Sequence, residues 1–256
     1  MLPVLQIGPL ALPTYPLSLL LAIWAALAAG AWAARRQGIA GDHIYNAGLY
    51  GIIAAVVAAR LAHVIAFWPA YRAQPLEIVG FATRAFFWWP GLLAALLVAG
   101  WYIRRHRLPW ASGADAGALG ALVGLSIACL GAFLAGRGLG APTGLPWGIT
   151  TWDVPRHPFQ LYWILATLAT AGLVLWVLDR QKEPGAAALV ALAGYGLAVL
   201  LIEPARGDSL TTAGGLRVAQ LLGLAAVILA LWRLRRRVRP SPDEIPQDQQ
   251  LILFVE

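Results

Sequence analysis

Apolar residues along the chain gather into seven long runs, at approximately 17–34, 44–67, 86–103, 114–135, 158–179, 186–203 and 216–232. Each is about 18 residues or longer, the length of helix that crosses roughly 30 Å of hydrocarbon at about 1.5 Å per residue. The pattern predicts an all-α integral membrane protein with seven transmembrane helices. The first run has no positive segment before it and leads straight into Arg35 and Arg36, so it reads as an uncleaved spanning helix rather than a signal peptide. Residues 1–239 then form a single membrane domain. The tail, "PSPDEIPQDQQLILFVE" at 240–256, is rich in proline and acidic residues and is expected to be disordered.

Composition agrees with that pattern. The chain is 60% hydrophobic and only 12% charged, the latter about half the usual share of a soluble domain, and its mean hydropathy is +0.69. Cys129 is the single cysteine, which excludes an intrachain disulfide and a thiol-metal cluster. Set in an apolar run, it reads as a small buried hydrophobe. No metal site and no cofactor are expected.

The net charge of +7 changes the picture more. Its basic residues stand in short clusters between apolar runs, where they report membrane orientation rather than nucleic-acid binding. By alternate connections, one side receives twelve: Arg35, Arg36, Arg104, Arg105, Arg107, Arg180, Lys182, Arg233, Arg235, Arg236, Arg237 and Arg239. The other receives six: Arg72, Arg84, Arg137, Arg156, Arg206 and Arg217. The richer side is expected to be cytoplasmic, which puts the N-terminus outside and the C-terminus inside.

With that orientation, polar residues from every run fall at one outer depth: Tyr15, Arg60 and His63, Trp88 and Trp89, Arg137, Arg156 to Tyr162, Glu203 and Arg206, and Arg217. Tryptophans and tyrosines at a boundary are ordinarily interfacial anchors. Arg60 and Glu203 differ, because a charge inside a span costs about 2.5–3.5 kcal/mol and needs a partner or a wet cavity. Each is expected to find the other. His63 reads equally as a satisfied interior histidine or as a site residue.

The connection 136–157 is long and rich in glycine and proline, in the manner of a lid or binding loop. It ends in "RHPFQLYW", residues 156–163. An arginine just before a helix that starts at Pro158 makes a natural anion site, suited to a lipid headgroup at the outer interface.

These segments together resemble the bacterial prolipoprotein diacylglyceryl transferases, over roughly residues 1 to 235. "IGPLALPTY" resembles the approach to the family's first helix, and "ARLAHVIAFWPAYRAQPLEI" its G-R-x-x-Y region. "RHPFQLY" resembles R-H-P-[ST]-Q-L-Y, and "GYGLAVLLIEPARGD" resembles G-Y-G-x-x-R-x-x-x-E-x-x-R. The resemblance implies a multi-pass enzyme of the bacterial plasma membrane. It would move diacylglyceryl from phosphatidylglycerol to the lipobox cysteine of a prolipoprotein and release glycerol phosphate, with membrane lipids as its surroundings and no nucleic-acid partner. It implies phospholipid binding by Arg60, Arg137, Arg156, Gln160, Tyr162, Tyr195 and Arg206, and proton transfer by His157 or Glu203.

The chain also departs from the family. Trp89 stands at the family's histidine, Cys129 and Val199 at two arginines, Ala132 and Ala135 at two asparagines, and Arg137 at a glutamate. Two readings follow: a transferase that works with the remaining cations, or a catalytically degenerate relative that serves as a phospholipid-binding or accessory protein. A transporter is a third, and no broken-helix repeat supports it.

Overall fold

A computed structural model of the chain describes residues 2–80, 86–180, 183–212 and 214–238. The tail at 240–256, and Arg84, Lys182 and Arg239 of the orientation count, lie outside the described residues. In chain order the elements are a hairpin of β1 (Val4–Ile7) and β2 (Leu10–Pro13), then α1 (Thr14–Arg36), α2 (Gly41–Ala66), the short α3 (Trp68–Ala73), α4 (Trp88–Arg105) and α5 (Trp110–Leu134). A second hairpin follows, β3 (Ile149–Thr151) with β4 (Val154–Arg156), and then α6 (Phe159–Arg180), α7 (Ala186–Ile202) and α8 (Val218–Val238).

Every one of the seven apolar runs lies on a long helix, and outside the two hairpins the architecture is helical. Among the described residues, six helices are long and apolar enough to cross a membrane. The exception is α4. Its 18 residues open on Trp88, Trp89 and Pro90 and close on Arg104 and Arg105, so its apolar middle is short.

The described residues divide into two compact units, those within 19–124 and those within 1–18 and 125–256. In the first, α2 and α4 meet along small residues at four-residue spacing. A Cβ added to Gly91 would lie 2.9 Å from the carbonyl oxygen of Ala55, and one added to Gly51 would lie 3.1 Å from that of Ala95. Small residues at this spacing let backbones approach where lipid supplies no hydrophobic drive between helices.

In the second unit, α7 and α8 touch in the same manner. A Cβ on Gly196 would come within 2.7 Å of the Gly223 carbonyl oxygen. Ser126 of α5 and Thr167 of α6 share a buried hydrogen bond of 2.7 Å. The outward faces carry Leu165, Leu168, Leu173, Leu197, Leu222 and Ile228, all exposed, as suits surfaces that lipid would cover.

Candidate functional site

Three helix ends of the second unit converge on one cavity. The end of α5 is set by Gly136, whose φ of 66° is open to glycine and costly for other residues. Gly136 N–H donates to the Phe133 carbonyl at 3.1 Å, and Arg137 N–H reaches back to the Ala132 carbonyl at 2.8 Å. This is the two-bond stop of a glycine-terminated helix, and it throws Arg137 off the helix. The Arg137 guanidinium carbon lies 4.1 Å from the centre of the Tyr15 ring.

The first turn of α6 supplies the second wall. The side-chain amide of Gln160 donates to the Arg137 carbonyl at 2.6 Å and to that of Gly138 at 3.4 Å. The turn after α7 supplies the third. There Arg206 Nε lies 3.1 Å from Asp208 Oδ1, and Arg206 Nη1 lies 3.7 Å from Glu203 Oε2. Burial works against the charge of Arg206, but the hydrogen bond and charge of Asp208, with the charge of Glu203, outweigh it and hold the guanidinium pKa above its ordinary value. Arg206 is a permanent cation.

Arg217 fastens this turn. Its Nη1 donates to the carbonyls of Glu203 and Arg206, the latter at 3.0 Å, and to Ser209 Oγ at 2.8 Å. Its Nη2 reaches the Pro204 carbonyl at 3.4 Å.

The cavity has a volume of about 320 Å³ and is lined by Cys129, Arg137, Gln160, Trp163, Tyr195, Arg206 and Asp208, with Phe159 and Leu125 among its apolar walls. Beneath it Phe159, Trp163, Ala198, Val199 and Ile202 form a buried cluster against which Cys129 packs. Cys129 and Val199, the positions of two family arginines, therefore belong to one apolar floor. The remaining cations sit at the rim. A cationic rim over an apolar floor suits an anionic amphiphile, since guanidinium groups bind phosphate oxygens in pairs and the floor accepts hydrocarbon.

A second cavity of about 460 Å³ adjoins the start of α6, lined by Leu145, Trp147, His157, Tyr162, Leu201, Pro204 and Ala205. Trp147 Nε1 donates to the Tyr162 hydroxyl at 2.8 Å, and that hydroxyl lies 3.2 Å from His157 Nδ1. His157 is fixed from behind by its backbone N–H, which donates to the Ala141 carbonyl at 3.0 Å.

The nine site residues expected from sequence thus separate. Arg137, Gln160, Tyr195 and Arg206 share the charged cavity. Glu203 is buried directly behind it, paired with Arg206. His157 and Tyr162 line the second cavity. Arg156 lies in neither lining. Its Nη1 donates to the Gly140 carbonyl at 3.0 Å, so it straps the loop, and its Nε is buried without a partner among the described residues.

Arg60 belongs to the 19–124 unit. Its Nε donates to the Ile78 carbonyl at 3.1 Å and its Nη2 to that of Glu77, and its guanidinium carbon lies 5.2 Å from the Tyr71 ring centre. Arg60 and Glu203 each have partners in their own unit, which removes the reason for expecting them to need each other. His63 is half-buried, 3.1 Å from the Tyr71 hydroxyl and in ring contact with Phe67 and Phe87.

Sequence reasoning missed Asp208, Arg217, Phe159 and Trp163. Asp208, two residues beyond Arg206, was the one signal available for the pair. Arg217 falls at the common outer depth in the sequence, with nothing there to mark it as the clamp of this turn.

Comparison with known proteins places this arrangement. A family profile described as prolipoprotein diacylglyceryl transferase matches residues 3–235. The chain is 32% identical over 252 residues to a protein of Solidesulfovibrio magneticus, covering 93% of this chain and 94% of that one. It is 30% identical to one of Gloeobacter violaceus, covering 91% and 93%, and 30% identical to one of Nitrosomonas europaea, covering 96% and 95%. All three relatives are named phosphatidylglycerol–prolipoprotein diacylglyceryl transferase.

Proposed function

The chain belongs to the prolipoprotein diacylglyceryl transferase family, and on that premise we propose that it transfers diacylglyceryl from phosphatidylglycerol to the lipobox cysteine of a prolipoprotein. The relatives named above act on these two substrates by their names, and they match nearly end to end. The observation that carries the proposal to particular residues is the charged rim over an apolar floor in the 125–256 unit.

Arg137 and Arg206 engage the phosphate, and Gln160 and Tyr195 border the headgroup. As the peptide thiol loses its proton and the sulfur bonds to the terminal glycerol carbon, the carbon–oxygen bond to phosphate breaks. Its electron pair stays on oxygen, and glycerol phosphate departs with one more negative charge. Cations set beforehand against that charge lower the barrier. Glu203 and His157 are the two candidate bases, one behind the charged cavity and the other in its neighbour. Arg156 serves by holding the loop, and Tyr162 by orienting His157. Arg60 is left out of the anion site, because the carbonyls of Glu77 and Ile78 engage its guanidinium.

We further propose that the protein crosses the bacterial plasma membrane seven times, with the N-terminus outside and the C-terminus cytoplasmic. The asymmetry of twelve against six basic residues supports that orientation. With Cys129 replaced, single cysteines at Thr143 and Thr211 should react with an impermeant thiol reagent from outside the cell.

The test of function is direct. Purified protein, phosphatidylglycerol and a lipobox peptide should yield thioether-linked diacylglyceryl peptide and glycerol phosphate in equal amounts. One observation favours a second reading, a phospholipid-binding relative without transfer: Cys129 and Val199 lie in the apolar floor where the family has arginines. That reading requires phosphatidylglycerol to bind while no thioether forms.

A further inference from the structure

The reaction proposed above joins two substrates of unlike chemistry, an anionic phospholipid and a peptide segment that presents a thiol. The 125–256 unit holds two cavities of correspondingly unlike chemistry, and the same short segments wall both. In the first turns of α6, Phe159, Gln160 and Trp163 line the charged cavity while Tyr162 lines the other. The turn after α7 divides likewise, with Arg206 and Asp208 on the first and Pro204 and Ala205 on the second.

Among the described residues, the second lining holds no arginine, lysine or carboxylate. Phosphate has no cation to meet there. It does hold an imidazole oriented by the Tyr162 hydroxyl oxygen, which Trp147 Nε1 and His157 Nδ1 both reach. With Nδ1–H donating to the Tyr162 oxygen, the Nε2 lone pair is left to accept a proton from a ligand.

The hairpin beside this cavity adds a second observation. Its two-residue tip is Trp152 and Asp153, with φ of 54° and 59°, the conformation for which Asn-Gly is ordinarily selected. Residues without that freedom cost about 1–3 kcal/mol each when held there. Yet the strained Trp152 is 75% exposed, and the neighbouring Trp147 is 57% exposed. Neither indole is needed to fill a core. Trp147 lines the uncharged cavity, and Trp152 lies on the same connection between α5 and α6.

We infer that this second cavity receives the acceptor: an uncharged peptide segment with apolar residues beside its cysteine. Leu145, Trp147 and Leu201 contact the apolar residues, and the thiol meets His157. The inference rests on the proposed transfer reaction. In that step the S–H proton passes to His157 Nε2, the sulfur bonds to the glycerol carbon of the lipid in the charged cavity, the carbon–phosphate oxygen bond breaks, and the imidazolium returns its proton to water.

The experiment reads docking without turnover. Full-length protein in phosphatidylglycerol nanodiscs carries photoreactive benzoylphenylalanine at Leu145, in the second cavity, or at Leu125, in the first. The probe is a biotinylated lipobox peptide with serine in place of cysteine. Labelling is expected from position 145 and not from position 125, competed by unlabelled peptide. Trp147→Ala, which removes a largely exposed indole together with its hydrogen bond to Tyr162, should weaken labelling by about tenfold, the scale of losing an aromatic anchor.

Equal labelling at both positions, or capture of phospholipid in place of peptide at 145, overturns the assignment. The two proposals fail separately. Protein that labels at 145 but forms no thioether contradicts the transferase reading alone. Protein that forms thioether without labelling at 145 contradicts the acceptor site alone.

Discussion

The charged cavity and its uncharged neighbour draw on one helical turn, yet they are held in shape by different forces. In the first, Arg206 is fixed between two carboxylates and its turn is clamped by four contacts from Arg217. In the second, three aromatic side chains fix one another through the Tyr162 hydroxyl. The contrast shows where this chain can carry charge. A guanidinium near hydrocarbon is sustained by counter-charges and carbonyls, whereas Cys129 and Val199 pack in an apolar cluster. Arg137 and Arg206 stand beyond the ends of α5 and α7, where loops and helix ends supply partners.

The largest expected effect strikes the charged cavity. Arg206→Ala removes the proposed phosphate contact and leaves Glu203 buried without its cation, so kcat/KM for transfer should fall by about 10²–10³. Arg206→Lys should keep part of the activity, since it restores charge without the fork. Steady-state rates of peptide lipidation check both. A loss below threefold in the alanine variant would remove Arg206 from the reaction.

A somewhat smaller effect separates the cavities. His157→Ala should lower kcat by about 10²-fold, at the low end for a positioned base, and leave the KM for phosphatidylglycerol unchanged. Glu203→Gln is the counter-test. If it abolishes turnover while His157→Ala does not, the base lies behind the charged cavity, and the uncharged one only docks peptide.

The third effect probes the clamp. Arg217 touches the backbone that carries Glu203 and Arg206 and does not line the cavity. Arg217→Gln should weaken phosphatidylglycerol use by about tenfold, in keeping with about 1.5–3 kcal/mol for hydrogen bonds from a charged group. Arg217→Lys should recover part of it. A fall in thermal stability with no change in the KM for lipid would make the contact purely structural.

Much of the helical framework was legible in sequence, because crossing hydrocarbon demands long apolar runs and leaves polar breaks between them. All seven runs lie on helices, with ends displaced by a few residues; the first run, 17–34, lies on a helix spanning Thr14–Arg36. The two hairpins were not legible. Their strands have three or four residues, too few for alternation to register, and the second turns at Trp152–Asp153 instead of at a glycine.

The site was legible as a depth but not as a grouping. Arg137, Gln160, Tyr195 and Arg206 come from separate parts of the chain, and only folding selects them from the other polar residues at that depth. The run at 156–163 showed the limit most clearly. It read as one anion site, but its residues divide among a loop strap at Arg156, an uncharged cavity at His157 and Tyr162, and a charged cavity at Gln160.

The division of labour between the cavities is tested most directly by measuring both Michaelis constants, for phosphatidylglycerol and for a lipobox peptide, in the wild type, Arg206→Lys and Trp147→Phe. Arg206→Lys should raise the constant for lipid and leave that for peptide in place. Trp147→Phe, which deletes one N–H worth about 0.5–1.5 kcal/mol, should raise the constant for peptide by a few fold and leave that for lipid in place. Two variants that shift both constants together would contradict the account.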